Sequence, residues 1–93
     1  PQNIEIIKND TFFWFSALQS IAIPSSVVII GAYAFDRCMS LKYFHFNGTT
    51  TEWKSIKKGF DDKNKYNPRQ KYYHWKEDVP AEVVYCMDGK YKL

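Results

Sequence analysis

The stretch IPSSVVIIGAYAFDRCMSLKYFHF, Ile23 to Phe46, spaces its apolar residues in a way that suits neither one continuous helix nor one continuous strand. The preceding residues explain it. Ile7, Thr11, Phe12, Phe15, Leu18, Ile21 and Ile23 fall on Ile30, Ala34, Phe35, Cys38, Leu41, Phe44 and Phe46, each pair 23 apart. A period of 23 is too short for a two-helix unit and suits one strand with a compact return path. Leu18, Ile21, Ile23 and Leu41, Phe44, Phe46 end in an alternation that puts apolar residues on one strand face. Parallel strands are therefore expected near residues 18–23 and 42–46, with Leu18 against Leu41 and Ile21 against Phe44, stacked about 4.8 Å apart. Pro24 or Asn47 then breaks the strand, Val27 to Ile30 form a short apolar run, Gly31 bends the path, and Ala34-Phe35 plug the unit from its convex side.

These residues resemble the BspA-type leucine-rich repeat, whose pattern runs Ile-Pro-x-Ser-Val, Ile-Gly-x-x-Ala-Phe, x-x-Cys-x-x-Leu. The first unit, IEIIKNDTFFWFSALQSIAIP, departs from it with Lys8 for the Gly, Thr11 for the Ala and Phe15 for the Cys, while its apolar frame holds. The segments FNGTTTEWKSIKKG and VPAEVVYCMDGKYKL are similar to the terminal cap that closes many such arrays. The resemblance implies a leucine-rich repeat solenoid fragment forming one module over 1–93, with repeat 1 at 4–26, repeat 2 at 27–49 and a C-terminal cap at 50–93. Short parallel strands would line one face, with turns or short 3-10 or helical returns behind them. It implies a non-catalytic adhesion or recognition module of a surface-exposed or secreted protein, taking a protein or glycan partner on its repeat surface. Residues 60 to 78 have no equivalent in the family pattern.

A stack that ended on an ordinary unit would expose its core, so the final unit must be atypical. Trp53 lies 23 after Ile30, and the register then dissolves. Thr50 or Thr51 is suited to cap a short helix through Trp53 and Ile56, and Gly59 to end it. Asp88-Gly89 suits a two-residue hairpin. That turn would set Cys86 against Tyr91 and Val84 against Leu93 on a buried face, with Lys90 and Lys92 beside Met87 and Tyr85 on a wet one.

The 93 residues suit one small domain with a thin core, and 45% hydrophobic and 18% aromatic content excludes a disordered tail. No apolar run approaches the roughly 20 residues of a membrane span. The chain begins at Pro1 without a signal peptide, so a mature product or an excised piece is expected. Its net charge of +3 lies entirely after residue 50. Lys63, Lys65, Arg69, Lys71 and Lys76 alternate there with Tyr66, Tyr72, Tyr73 and Trp75, a pattern that single-strand nucleic-acid grooves use and that a solvated loop over packed aromatics also produces. Cys38 and Cys86, 48 apart, fit no zinc or redox spacing, and Cys38 shares a register with the inward Phe15 and reads as a small buried hydrophobe.

No nucleophile has a base at hand. His45 points off a strand into solvent and His74 lies among aromatics. Asp61 and Asp62 open no calcium loop, because the glycine and the closing glutamate are missing. No phosphate-cradling loop occurs, and Asn47-Gly48-Thr49 reads as a turn. No enzyme activity, cofactor or metal is expected. The favoured binding residues point outward from the strands: Gln19 and Ser20 (with Ala22) in one unit, and Lys42, Tyr43 and His45 in the next. The alternative is a basic-aromatic module using Arg69, Lys71, Tyr72, Tyr73, Trp75 and Lys76 for glycan or polyanion, and an accessory domain of a larger enzyme is the third class. No sequence-specific nucleic-acid partner is expected. Phe13 and Trp14 stand where Asp36 and Arg37 stand in the next unit, positions expected to face water. Two aromatics there point to an N-terminal lid or to contact with a neighbouring coil, chain or ligand, an upstream coil being the favoured account; the isolated chain is then expected to self-associate through residues 4–24.

Overall fold

Two separate ladders of parallel strands carry the repeat, in a computed structural model that describes residues 4–61 and 72–93. Strands β1 (Ile6–Ile7), β3 (Ile29–Gly31) and β5 (Lys57–Phe60) form one sheet in that order. Strands β2 (Ser20–Ile23), β4 (Tyr43–Phe46), β6 (Val83–Cys86) and β7 (Gly89–Lys92) form the other, again in that order. Every neighbouring pair is parallel except the β6–β7 hairpin. Ile6 and Ile7 pair with Ile29 and Ile30, and Ile21 and Ile23 with Phe44 and Phe46, as the repeat requires. The chain thus visits the two sheets alternately, and each round adds a layer. Leu18 and Leu41 lie just before the strands rather than in them, each in a turn closed by its own N–H, which donates to Phe15 O and Cys38 O respectively.

The interior is built from the recurring positions. Ile23, Val27, Ile30, Ala34, Phe35, Cys38, Leu41, Phe44 and Phe46 are buried, and Trp53 and Val84 join them from the third layer. Each large apolar side chain so covered contributes roughly 1.5–3 kcal/mol. The first layer forms one end of the stack, so Phe12 and Leu18 are only half-buried and Phe15 is exposed.

Between the sheets the backbone also repeats. Asp10 and Tyr33 both have φ 60°, and Trp14 and Arg37 both have φ 63°. The amides of Asp10, Phe12 and Trp14 donate to the carbonyls of Ala32, Ala34 and Asp36. The amides of Tyr33, Phe35 and Arg37 donate in the same fashion to His74, Trp75 and Glu77, and Asp78 again has φ 63°. Residues 74–78 therefore supply the convex turn of a third layer, in a region without a counterpart in the family pattern. Its spacing departs from the repeat. Ile29 pairs with Lys57, beyond the position one period would give, because helix α1 (Thr50–Ser55) is inserted after β4. Phe44 then pairs with Val84, a still longer step in sequence.

The cap differs from expectation in three details. The N-cap is Thr49, not Thr50 or Thr51: Thr49 Oγ1 accepts from Glu52 N at 3.1 Å, and Glu52 Oε1 accepts from Thr49 N at 2.9 Å. This reciprocal capping box satisfies two donors that would otherwise be orphaned at a helix start. The helix ends at Ser55 with Ile56 as C-cap, not at Gly59. Gly59 instead has φ +76°, and a Cβ there would lie 2.0 Å from Tyr73 O. The hairpin is also shifted: Val84 pairs with Tyr91 and Cys86 with Gly89, so Met87 and Asp88 form the tip. Tertiary contacts select that register, because Asp88 accepts from Thr50 N at 2.8 Å and Thr50 Oγ1 at 3.2 Å, while Met87 N donates to Gly48 O at 2.8 Å. A shift of whole pairs keeps the faces, so Val84, Cys86 and Tyr91 still pack inward.

Candidate interaction surface

Strand alternation turns Phe44 and Phe46 inward and leaves Tyr43 and His45 on the outer face of β4. Ser20 and Ala22 of β2 lie beside them in register. On the other side, β6 presents Val83 and Tyr85, and β7 presents Lys90 and Lys92. Three rings meet at the centre of this four-stranded face. Tyr43 lies 5.2 Å from His45 and 5.6 Å from Tyr85, both edge-on, and His45 lies 5.5 Å from Tyr85. Lys90 Nζ sits 5.7 Å from the Tyr85 centroid. Each aromatic pair in such a geometry is worth roughly 0.5–1.5 kcal/mol, so the rings hold one another in place before any partner arrives. His45 and Tyr85 are exposed and Tyr43 is half-buried.

Of the residues singled out from sequence, Ser20, Tyr43 and His45 lie on this face. Gln19 and Lys42 stand exposed just before its strands, joined by Lys42 N donating to Gln19 O at 2.9 Å. Tyr85 was missed as their neighbour. The hairpin pattern placed it on a wet face with Lys90 and Lys92, but its pairing with His45 falls outside the repeat spacing.

The alternative set is dispersed. Arg69 and Lys71 lie outside the described residues. Tyr72 packs against Phe60 at 5.7 Å and Tyr73 against Tyr33 at 5.8 Å, and both remain exposed. Trp75, assigned there to ligand binding, instead plugs the third layer: its ring lies 5.7 Å from Phe44, 6.2 Å from Trp53 and 6.3 Å from Phe35. Lys76 is half-buried with Nζ 5.8 Å from the Trp75 ring.

Asp36, expected to face water, is 4% exposed. Its Oδ1 accepts from Glu77 N at 2.9 Å, and its carboxyl is pushed up by burial, a tendency that this hydrogen bond opposes. One of its carboxylate oxygens, a His74 ring nitrogen and a Glu77 oxygen all lie within 4.8 Å of one another, a grouping that no short sequence spacing announces. Arg37 pairs with Asp78 at 3.6 Å on the surface and stacks over Trp14 at 5.5 Å. Phe13 and Trp14 are exposed, as expected. Both cysteines are free; Cys38 donates from Sγ to Phe12 O at 3.1 Å, and burial raises both thiols, which makes them poor nucleophiles.

No helix among the described residues is long and apolar enough to cross a membrane. The family model described as BspA type leucine rich repeat region (6 copies) matches residues 1–61. No curated protein and no solved structure matches the chain.

Proposed function

From the premise that this chain belongs to the BspA-type leucine-rich repeat family, we propose that it is a non-catalytic protein-binding module whose partner docks on the outer face of the β2-β4-β6-β7 sheet. In this reading the stacked layers are turns of a solenoid, closed at one end by α1 and the β6–β7 hairpin. The module works at a cell surface or after secretion, in adhesion or recognition. The observation that carries the proposal is the exposed contact among Tyr43, His45 and Tyr85. Stiff aromatics with polar tips supply large contact area at little conformational cost, and they are enriched where binding energy concentrates. Stacked repeats offer such a face because their strands align side chains at fixed intervals.

The test compares the wild-type chain with a Tyr43→Ala/Tyr85→Ala variant against a panel of extracellular proteins. Binding should fall at least tenfold in the variant with an unchanged circular dichroism spectrum. Unchanged binding there, with loss in a Lys71→Ala/Lys76→Ala variant, would move the site to the basic-aromatic segment.

A further inference from the structure

The convex side of the molecule carries a group of side chains that the binding face does not use. Asp36 belongs to the second layer, and His74 and Glu77 to the third. Asp36 is far from the other two in sequence, yet the ladder that docks one convex turn on the next brings the ligating atoms of all three within 4.8 Å. His74 Nδ1 and Glu77 Oε2 are 2.5 Å apart on side chains that are 66% and 54% exposed.

Asp36 makes this more than an exposed polar cluster. It is 4% exposed, and the only hydrogen bond of its side chain among the described residues is the one that Oδ1 accepts from Glu77 N. A carboxylate offers about four lone-pair sites, so this single hydrogen bond leaves acceptor capacity beside the His74–Glu77 pair. The neighbouring cation does not help: the Arg37 guanidinium faces Asp78. The charges of Glu77 and Asp10 act against that of Asp36, and His74 alone acts for it. A buried carboxylate is normally paired with a cation or coordinates a metal.

We propose that Asp36, His74 and Glu77 bind one divalent first-row transition ion of the zinc class, which would tie the third layer to the second. One imidazole and two carboxylates suit such ions, and three protein ligands leave a position for water. Tetrahedral coordination at bonds of about 2.0–2.1 Å sets ligand atoms roughly 3.3 Å apart. The ion therefore replaces the direct His74–Glu77 contact and draws both exposed side chains towards Asp36, which stays fixed by its burial. The Glu77 amide, already bonded to Asp36, holds the backbone in place during that adjustment.

The experiment uses the full chain stripped with EDTA, titrated with zinc chloride by calorimetry and with cobalt chloride by visible absorption, alongside thermal melts. One ion per chain should bind, with a cobalt spectrum free of sulfur charge transfer and a melting temperature that rises with zinc. Asp36→Asn, which keeps an oxygen for the Glu77 amide, should weaken zinc binding at least tenfold, and so should His74→Ala. Glu77→Gln, on an exposed side chain, provides a variant whose folding is not at issue and should show the same loss. His45→Ala and Cys86→Ser should bind normally. No saturable binding to the wild type, or binding lost in Cys86→Ser or His45→Ala but kept in Asp36→Asn, would mean an adventitious ion only and would overturn the proposal.

Discussion

Replacing Trp75 with alanine separates a residue that supports the fold from one that meets a ligand. The Trp75 ring is half-buried against Phe35, Phe44 and Trp53, and its backbone carbonyl accepts from Phe35 N at 2.8 Å. A tryptophan in this setting buries at least ~150 Å², which at ~25 cal/mol per Å² is about 4 kcal/mol. The hole it leaves is bounded by rigid rings on two layers and collapses poorly, so the loss should fall at about 3–5 kcal/mol. A domain of this size has roughly 5–15 kcal/mol in total, so Trp75→Ala should lower the melting temperature by about 15–30 °C or leave the chain partly unfolded at room temperature. Trp75→Phe should retain most of the stability. Urea denaturation followed by circular dichroism measures both, with the slope compared to confirm that the same surface is exposed. A Trp75→Ala stability within about 1 kcal/mol of wild type would refute the plug and return Trp75 to the ligand-binding set.

Leu41→Ala should cost about 2–5 kcal/mol in the same assay, since Leu41 is fully buried between layers; an unchanged melt would place it outside the core. Gly59→Ala should destabilise by more than the ~1–2 kcal/mol of left-handed backbone strain, because the new Cβ meets Tyr73 O; a neutral effect would show that residue 73 does not return over β5. Burial lowers Lys58 to about 8, although its Nζ donates to Trp53 O at 2.7 Å and to Ile56 O at 3.2 Å. The unfolded chain then binds more protons between pH 8 and about 10.5, so wild-type stability should rise with pH over that window relative to Lys58→Met. Parallel curves for the two proteins would show that Lys58 titrates normally. The edges of β1 and β2 end both sheets on the same side, beside a cavity of about 370 Å³ lined by Ile6, Ile7, Phe12, Ile21, Ile23 and Val27. Sedimentation should show self-association there, reduced by Trp14→Asp, whereas a monomer at high concentration would show that this end stays unpaired.

The first two layers were legible because each of their inward positions recurs at one spacing, and apolar periodicity states which residues share a strand face. Ile21 against Phe44 and Ile23 against Phe46 needed nothing more. The helix was legible in type but not in its first residue, since three threonines in a row compete for the N-cap. Thr49 is the one with Glu52 three positions on, and that capping-box signal was present in the sequence. The hairpin faces were legible from alternation, but its register was not, because Asp88 is held by Thr50, a partner remote in sequence.

The candidate face was half legible for a related reason: Tyr43 and His45 could be placed outward on their own strand, whereas Tyr85 joins them only through the pairing of β4 with β6. By itself the sequence determined that the chain repeats, which strand residues of the first two layers point inward, and that the last unit is atypical, since each of these is a matter of local period and composition. Only the tertiary structure decided that a third layer exists, that Trp75 fills it, and that Asp36 meets His74 and Glu77. The sequence step to that layer exceeds one period by different amounts at different positions, with Ile29 pairing with Lys57 beyond helix α1 and Phe44 with Val84. A period-based reading detects a layer only when the chain length around it is constant, while hydrogen bonding between neighbouring turns does not depend on that length.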